Sequence, residues 1–272
     1  MNLLMDFPDS NKPLPLFECI EIETTNTCTR KCWFCLHGQL KNARPKAIMS
    51  WELIDKIINE LQDLNYNNHL FWYSTNEPLL DKRLVEIISK SRQKLNPDVR
   101  LPITTNADLL TQDKMEELFS AGINRINISL YDQESDKKLD RLDFKNYPIF
   151  FWKYYVGEDA GRKYEMELDP NYSFDNRGGK IVELQTVKYK NWNCWRPYRF
   201  MAVRFDGKMK LCSKDTDASG LPDHCTLEKM TLKELWCCTE IEEYRSFLRL
   251  KREKMCTGCS FRFRCQPTLK IL

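Results

Sequence analysis

Three cysteines, Cys28, Cys32 and Cys35, stand in the stretch TTNTCTRKCWFCLHG as a CxxxCxxC array. Thiolates are soft ligands, and three of them this close together point to a metal. Structural zinc takes four closed ligands, and the only local candidate for the fourth is His37. Iron–sulfur clusters also use thiolates at short spacings, and a cubane held by three cysteines keeps one iron open for another ligand. A redox pair with a spare thiol is the third arrangement the spacing allows. A second group lies downstream: Cys194, then Gly207 and Cys212, a helical segment, Cys256-Thr-Gly-Cys259, and Cys265. A zinc ribbon and an iron–sulfur site would both use such a hairpin cysteine and CxxC.

The elements that must position these thiols follow from the hydrophobic pattern. ECIEIETT (18–25) alternates as a strand, and Ser50 caps WELIDKIINEL, whose Leu53, Ile54, Ile57, Ile58 and Leu61 form one helical stripe. The cysteine array therefore falls in a strand-to-helix loop. HLFWYS (69–74), RLPITT (100–105) and NRINISLY (124–131) read as further strands, with helices at 81–95 and between Thr111, as cap, and Gly122, as stop. IFFWKYYV (149–156) and YEMELD (164–169) are strands separated by too little chain for full helices. The fold class expected is α/β, an incomplete six-unit (β/α) barrel of TIM type over residues 1–190, with its site at the C-terminal strand ends. Residues 191–272 read as a small cysteine-rich domain, with a hairpin in FMAVRFDGKMKLC, Gly207 at its tip, and one helix in TLKELWCCTEIEEYRSFLRLK. Its buried stripe is Leu232, Leu235, Trp236, Ile241, Tyr244 and Leu248.

Bulk properties narrow the class. The 272 residues carry 42 basic and 39 acidic side chains, a balance that gives no support to nucleic-acid binding. The N-terminus lacks a signal-peptide pattern and no uncharged run is long enough for a membrane span, so a cytoplasmic protein without a membrane partner is expected. Twelve cysteines in a reducing compartment favour metal sites over disulfides, and with three histidines the ligands are mostly sulfur.

On these residues the sequence resembles the radical S-adenosylmethionine (SAM) enzymes. CxxxCxxC follows the first strand, with Phe34 directly before the third cysteine. Ser74-Thr75-Asn76-Glu77-Pro78 is similar to the family's Gly-Gly-Glu-Pro segment, which holds the SAM amino group; the two glycines are absent, so Glu77 and Pro78 carry the likeness. Thr105-Asn106 matches the Thr-Asn pair after the third strand, Ser129 stands at the usual ribose contact, and Asn176-Arg177-Gly178-Gly179 resembles the segment that meets the SAM carboxylate. The resemblance implies an open-iron [4Fe–4S] cluster on Cys28, Cys32 and Cys35. SAM would chelate that iron and yield, on one-electron reduction, a 5′-deoxyadenosyl radical that takes a hydrogen atom from substrate. The cofactor would then carry the difficult chemistry, and the protein would position it and exclude water.

The order Cys-x12-Gly-x4-Cys, helix, CxxC resembles the SPASM/twitch extension of that family. It implies one auxiliary [4Fe–4S] cluster on Cys194, Cys212, Cys256 and Cys259, with Cys265 a candidate substitute ligand; the further cysteines of a full SPASM are missing after Cys265. Cys19, Cys237 and Cys238 read as packed core thiols, and His69 and His224 as ordinary polar residues. Cys225 and Cys265 are candidate hydrogen donors to a substrate radical, which would make the enzyme an epimerase.

Family members with this extension modify ribosomally made peptides, or oxidise or epimerise aminoglycoside-type alcohols and sugars. A peptide is the expected substrate, since short units after Tyr131 should open one side of the barrel. With only about 27 residues before Cys28, a peptide substrate would need a separate leader-peptide-binding protein as partner, or another docking surface. The alternative is a sugar-type small molecule. An electron donor such as flavodoxin or ferredoxin is implied in both cases. A different class altogether, a non-catalytic iron–sulfur or zinc protein, would cleave no SAM.

Overall fold

The computed structural model describes residues 14–35, 45–155, 164–166, 194, 196–215, 217–250 and 259. Six parallel strands occur where alternation places them: β1 (Cys19–Ile22), β2 (His69–Phe71), β3 (Pro102–Thr105), β4 (Arg125–Leu130), β5 (Ile149–Lys153) and β6 (Tyr164–Met166). Helices α1 (Trp51–Asp63), α2 (Leu84–Lys94), α3 (Gln112–Ala121) and the short α4 (Gln133–Lys138) connect the first five. With two further strands from the C-terminal part they form two four-stranded sheets, and a parallel bridge between His69 and Arg100 joins the β2 edge of one to the segment entering β3 of the other.

Local chemistry explains the helices. In α1, Ser50 Oγ accepts from the Leu53 amide at 3.2 Å, and Ile54, Ile57, Ile58 and Leu61 are buried on one stripe. In α3, Thr111 caps the start and Gly122, at φ +107°, ends the helix in the left-handed region. A Cβ on Gly122 would also come within 2.8 Å of the Arg92 side chain, whose guanidinium donates to the Gly122 carbonyl at 2.9 Å.

The C-terminal part departs from expectation in two ways. The hairpin forms, as β7 (Phe200–Val203) and β8 (Met209–Lys210) around Gly207 at φ +78°, but β7 pairs in parallel with β1. It follows the short helix α5 (Arg196–Arg199) and adds a seventh parallel strand beside the strand that leads into the cysteine array. The single long helix is two, α6 (Leu232–Trp236) and α7 (Thr239–Leu250), broken at Cys237 and Cys238. The six expected apolar positions are nevertheless all buried, because the break reorients the stripe rather than removing it. A Thr231–Glu234 capping box starts α6.

The apolar core is continuous from Phe17 to Tyr244 and includes residues on both sides of position 190. Trp236 donates to the Pro15 carbonyl at 3.0 Å and packs edge-on against Phe17, while the buried Arg245 lies over the Trp236 ring and donates to the carbonyls of Pro197 and Trp236. One guanidinium thus holds α5, α6 and α7 together. Among the described residues, no helix is long and apolar enough to cross a membrane.

Candidate active site

The C-terminal strand ends converge on one cavity. It is lined by Cys28, Cys32 and Cys35 from the loop after β1, Tyr73 to Glu77 after β2, Thr104 to Asn106 at β3, and Ser129 and Tyr131 at β4. The expected positions Phe34, Glu77, Asn106 and Ser129 all face it. Pro78 is buried beside it as the first residue of a 3-10 turn, Pro78–Leu80, where its lack of an N–H costs nothing.

The cysteine loop is held at both ends. Glu77 N donates to the Thr27 carbonyl at 2.9 Å, and the Asn26 side chain bonds the backbone of Pro45 and Ala47. Arg30, two residues past Cys28, reaches Asp108 after β3 and Asp132 after β4, with Nε to Asp108 Oδ2 at 2.8 Å and Nη1 to Asp132 Oδ2 at 3.1 Å. Burial tends to raise both carboxyls, but hydrogen bonds from Arg30 with Thr29, and from Ser135 with Arg30, hold Asp108 and Asp132 below the ordinary range. Phe34 packs on Tyr131, centroids 5.1 Å apart, and shields Cys32 and Cys35. Sequence reading missed this Arg30 anchor, whose partners lie 78 and 102 residues away.

Glu77 is 2% exposed and its carboxylate is fully engaged. Oε1 accepts from Thr105 Oγ1 at 2.6 Å and from Leu79 N, and Oε2 accepts from Asn106 N at 2.9 Å. Burial raises its pKa against the pull of those donors. The acid therefore locks the ends of β2 and β3 to each other. Asn106 Nδ2 in turn donates to Thr29 Oγ1 at 3.0 Å and lies 3.7 Å from Cys28 Sγ.

Several features fit a three-thiolate iron–sulfur cluster with SAM. Three sulfurs share the cavity. Burial pushes Cys28 up to about 11 and raises Cys32, so a metal is what would draw the thiolates out. Asn76 Nδ2, lining the same cavity, is buried with no hydrogen-bond partner among the described residues. A buried orphan donor costs about 1–3 kcal/mol unless a ligand meets it.

A second thiol group lies behind β1. Cys194, Cys212 and Cys259 are electrostatic neighbours of one another or of Arg196, whose Nη2 donates to Glu21 Oε1 at 2.9 Å. Asp215, fully buried, accepts from the amides of Leu211, Ser219 and Gly220 and so shapes the loop that carries Cys212. Burial pushes the Cys212 thiol up to about 11 against the opposing pull of Arg196. A polar chain connects this group to the cavity: Lys210 Nζ donates to Ser74 Oγ at 2.9 Å, and Ser74 Oγ lies 3.3 Å from Glu21 Oε2. Cys256, Cys265 and Asn176 to Gly179, including Arg177, lie outside the described residues.

Cys225 is fully buried and is not among the residues lining the cavity. One expectation about lone thiols is corrected. Cys237 is exposed, because the chain turns out of helix at that residue; Cys19 and Cys238 are buried as expected.

A family model described as the radical SAM superfamily matches residues 22–145, which span β1, the cysteine loop and the strand ends lining the cavity. The GTP 3′,8-cyclase of Clostridium botulinum is 32% identical over 92% of this chain and 79% of its own length. The chain belongs to the radical SAM superfamily and is a radical SAM enzyme, which implies a [4Fe–4S] cluster and SAM as its cofactors. It is also similar to the S-adenosyl-L-methionine-dependent 2-deoxy-scyllo-inosamine dehydrogenase of Niallia circulans, at 22% identity over 90% of this chain and 93% of that one. In fold it matches the crystal structure of BtrN in complex with AdoMet and 2-DOIA, with a TM-score of 0.73 at 20% identity, over 91% of this chain and 94% of that one. These relatives favour the small-molecule alternative over the expected peptide substrate.

Proposed function

We propose that this enzyme oxidises an alcohol of a sugar- or aminoglycoside-type small molecule. The carrying observation is the likeness, over nearly the full length of both chains, to a SAM-dependent dehydrogenase of 2-deoxy-scyllo-inosamine. Cluster and SAM, when bound, supply a hydrogen-abstracting oxidant. Cys28, Cys32 and Cys35 would hold the cluster; Phe34, Glu77, Pro78, Asn106, Ser129 and Arg177 would shape the SAM site. Glu77 acts by locking Thr105 and Asn106, and the backbone and amide of Ser74 to Asn76 supply polar contacts.

Oxidation of a carbinol to a ketone removes one hydrogen atom, one proton and one further electron. We infer that residues 191–272 form a SPASM/twitch unit whose auxiliary [4Fe–4S] cluster accepts that electron. Its ligands would be Cys194, Cys212, Cys256 and Cys259, with Cys265 a substitute. The proximity of Cys194 and Cys212 to Arg196, and of Cys259 to Cys212, supports this reading, and the cation favours thiolate ligands. A flavodoxin- or ferredoxin-type donor would reduce the first cluster.

Anaerobically reconstituted enzyme with SAM and dithionite tests the substrate class. Amino sugars, aminocyclitols, GTP and a peptide panel are offered in parallel. A sugar-type product two hydrogens lighter, formed one-for-one with 5′-deoxyadenosine, is expected. Turnover of GTP or of a peptide with no sugar turnover overturns the proposal.

A further inference from the structure

Outside the SAM cavity and apart from the Cys194 group, three metal-type donors converge, with a fourth, Cys238, beside them, where the loop after β8 meets the start of α7. The ligand atoms of His224, Cys225 and Glu240 all lie within 4.8 Å of one another, with His224 Nε2 2.5 Å from Glu240 Oε1. Cys238 is an electrostatic neighbour of both Cys225 and Glu240 and stands beside that three-atom group. Both thiols are buried, Cys225 completely, while the imidazole and carboxylate close the outer side. The sequence presents these residues as two unrelated pairs thirteen positions apart; the turn at Cys237 is what brings Cys238 and Glu240 under His224.

We propose that His224, Cys225, Cys238 and Glu240 form a zinc-class divalent cation site. Two sulfurs, one imidazole nitrogen and one carboxylate oxygen make a borderline-soft, four-donor set suited to tetrahedral zinc. With metal–ligand bonds of about 2.0 Å, imidazole nitrogen and carboxylate oxygen stand about 3.3 Å apart, so binding opens the half-exposed His224–Glu240 pair by less than about 1 Å. The two thiols give up their protons to solvent as the cation enters, and burial, which pushes Cys225 up to about 12, keeps the pair neutral without it.

The position gives the site a use. Cys225 O accepts from Met209 N of β8 at 2.9 Å, and Cys238 directly precedes α7. A cation there would staple the hairpin that leads to Cys212 onto α7, the helix after which Cys259 follows. The bound cation thus braces the segments on either side of the second thiol group without touching the SAM cavity.

The test is metal content of the full chain, purified anaerobically, with cobalt as the optical probe. About one zinc per chain beside the iron is expected, and cobalt should give thiolate charge-transfer and tetrahedral d–d bands. Cys225→Ser with Cys238→Ser should lower zinc by at least about tenfold with iron unchanged. Cys28→Ala, Cys32→Ala and Cys35→Ala together should lose about half the iron and keep zinc. Should the buried double variant fail to fold, exposed His224→Ala still reads the site, through an altered cobalt d–d spectrum and at least about tenfold weaker zinc binding. Wild-type protein with iron alone and no cobalt bands overturns the proposal. So does zinc that survives the double substitution, or a Cys225–Cys238 disulfide in anaerobically prepared protein.

Discussion

The two sulfur-rich regions are built by opposite strategies. Cys28, Cys32 and Cys35 come from one short loop, and the fold's task is to pin it: Arg30 reaches Asp108 and Asp132, Glu77 N holds Thr27, and Phe34 covers the sulfurs. Cys194, Cys212 and Cys259 come from distant segments, and the fold's task is to gather them, through β7 on β1, the Asp215-braced loop and Arg196. Among the described residues, Asn76 Nδ2 of the first region has no hydrogen-bond partner, and the second region is tied by Arg196 and Glu21 into a charge network. The first region therefore depends on what pins one loop, and the second on which distant segments pack together.

The strongest way to break the comparison is to remove one sulfur from each region. Cys28→Ala should abolish 5′-deoxyadenosine formation, followed by chromatography, and, on the proposal of a second cluster, about half the iron should remain. Cys212→Ala should keep SAM cleavage and lose substrate oxidation. If both variants lose SAM cleavage equally at full folding, the division of labour is wrong.

The next effect lies in the brace between strand ends. Glu77→Gln turns an acceptor-only group into one with an N–H facing donors, and should cost about 1–3 kcal/mol in denaturant titration and weaken SAM binding. Burial raises the folded-state pKa of Glu77, so its favourable contribution is complete below the unfolded value of about 4.3 and is lost as pH rises through the higher folded value. The Gln variant should flatten the stability profile over that window.

Arg30→Ala is smaller, about 1 kcal/mol or less, because its partners are half-exposed. Asp108 and Asp132 titrate below the ordinary range, so their contribution is present above about pH 3.9 and is lost as pH falls through the lowered folded values. The variant should lose that acid dependence, as read by cluster absorbance across pH. Smallest of all, Cys237→Ser should change stability by no more than about 0.5 kcal/mol, its thiol being exposed, while Cys19→Ser at a buried β1 position should cost more. Equal effects on the melting temperature would contradict the burial difference.

Much of this was legible from local pattern. Alternation located six strands, Ser50, Thr111 and Gly122 marked helix ends, and Cys28, Cys32 and Cys35 announced the first site, because caps, periodicity and loop spacing act over a few residues. Glu77, Asn106 and Ser129 were found through resemblance and do face the cavity. The peptide reading is the less favoured by the relatives, since short connections after Tyr131 say only that chain is missing there, not what enters.

The sequence by itself determined the strand–helix alternation and the open three-thiol loop, since each is written within one turn or one strand. Only the tertiary structure decided that β7 lies on β1, that Arg30 anchors the loop across two strand ends, that a turn at Cys237 splits one amphipathic stripe into two helices, and that Cys225 is buried away from the cavity. These depend on which distant segments share the apolar core, and a sum over long-range contacts leaves no short-range mark on the chain.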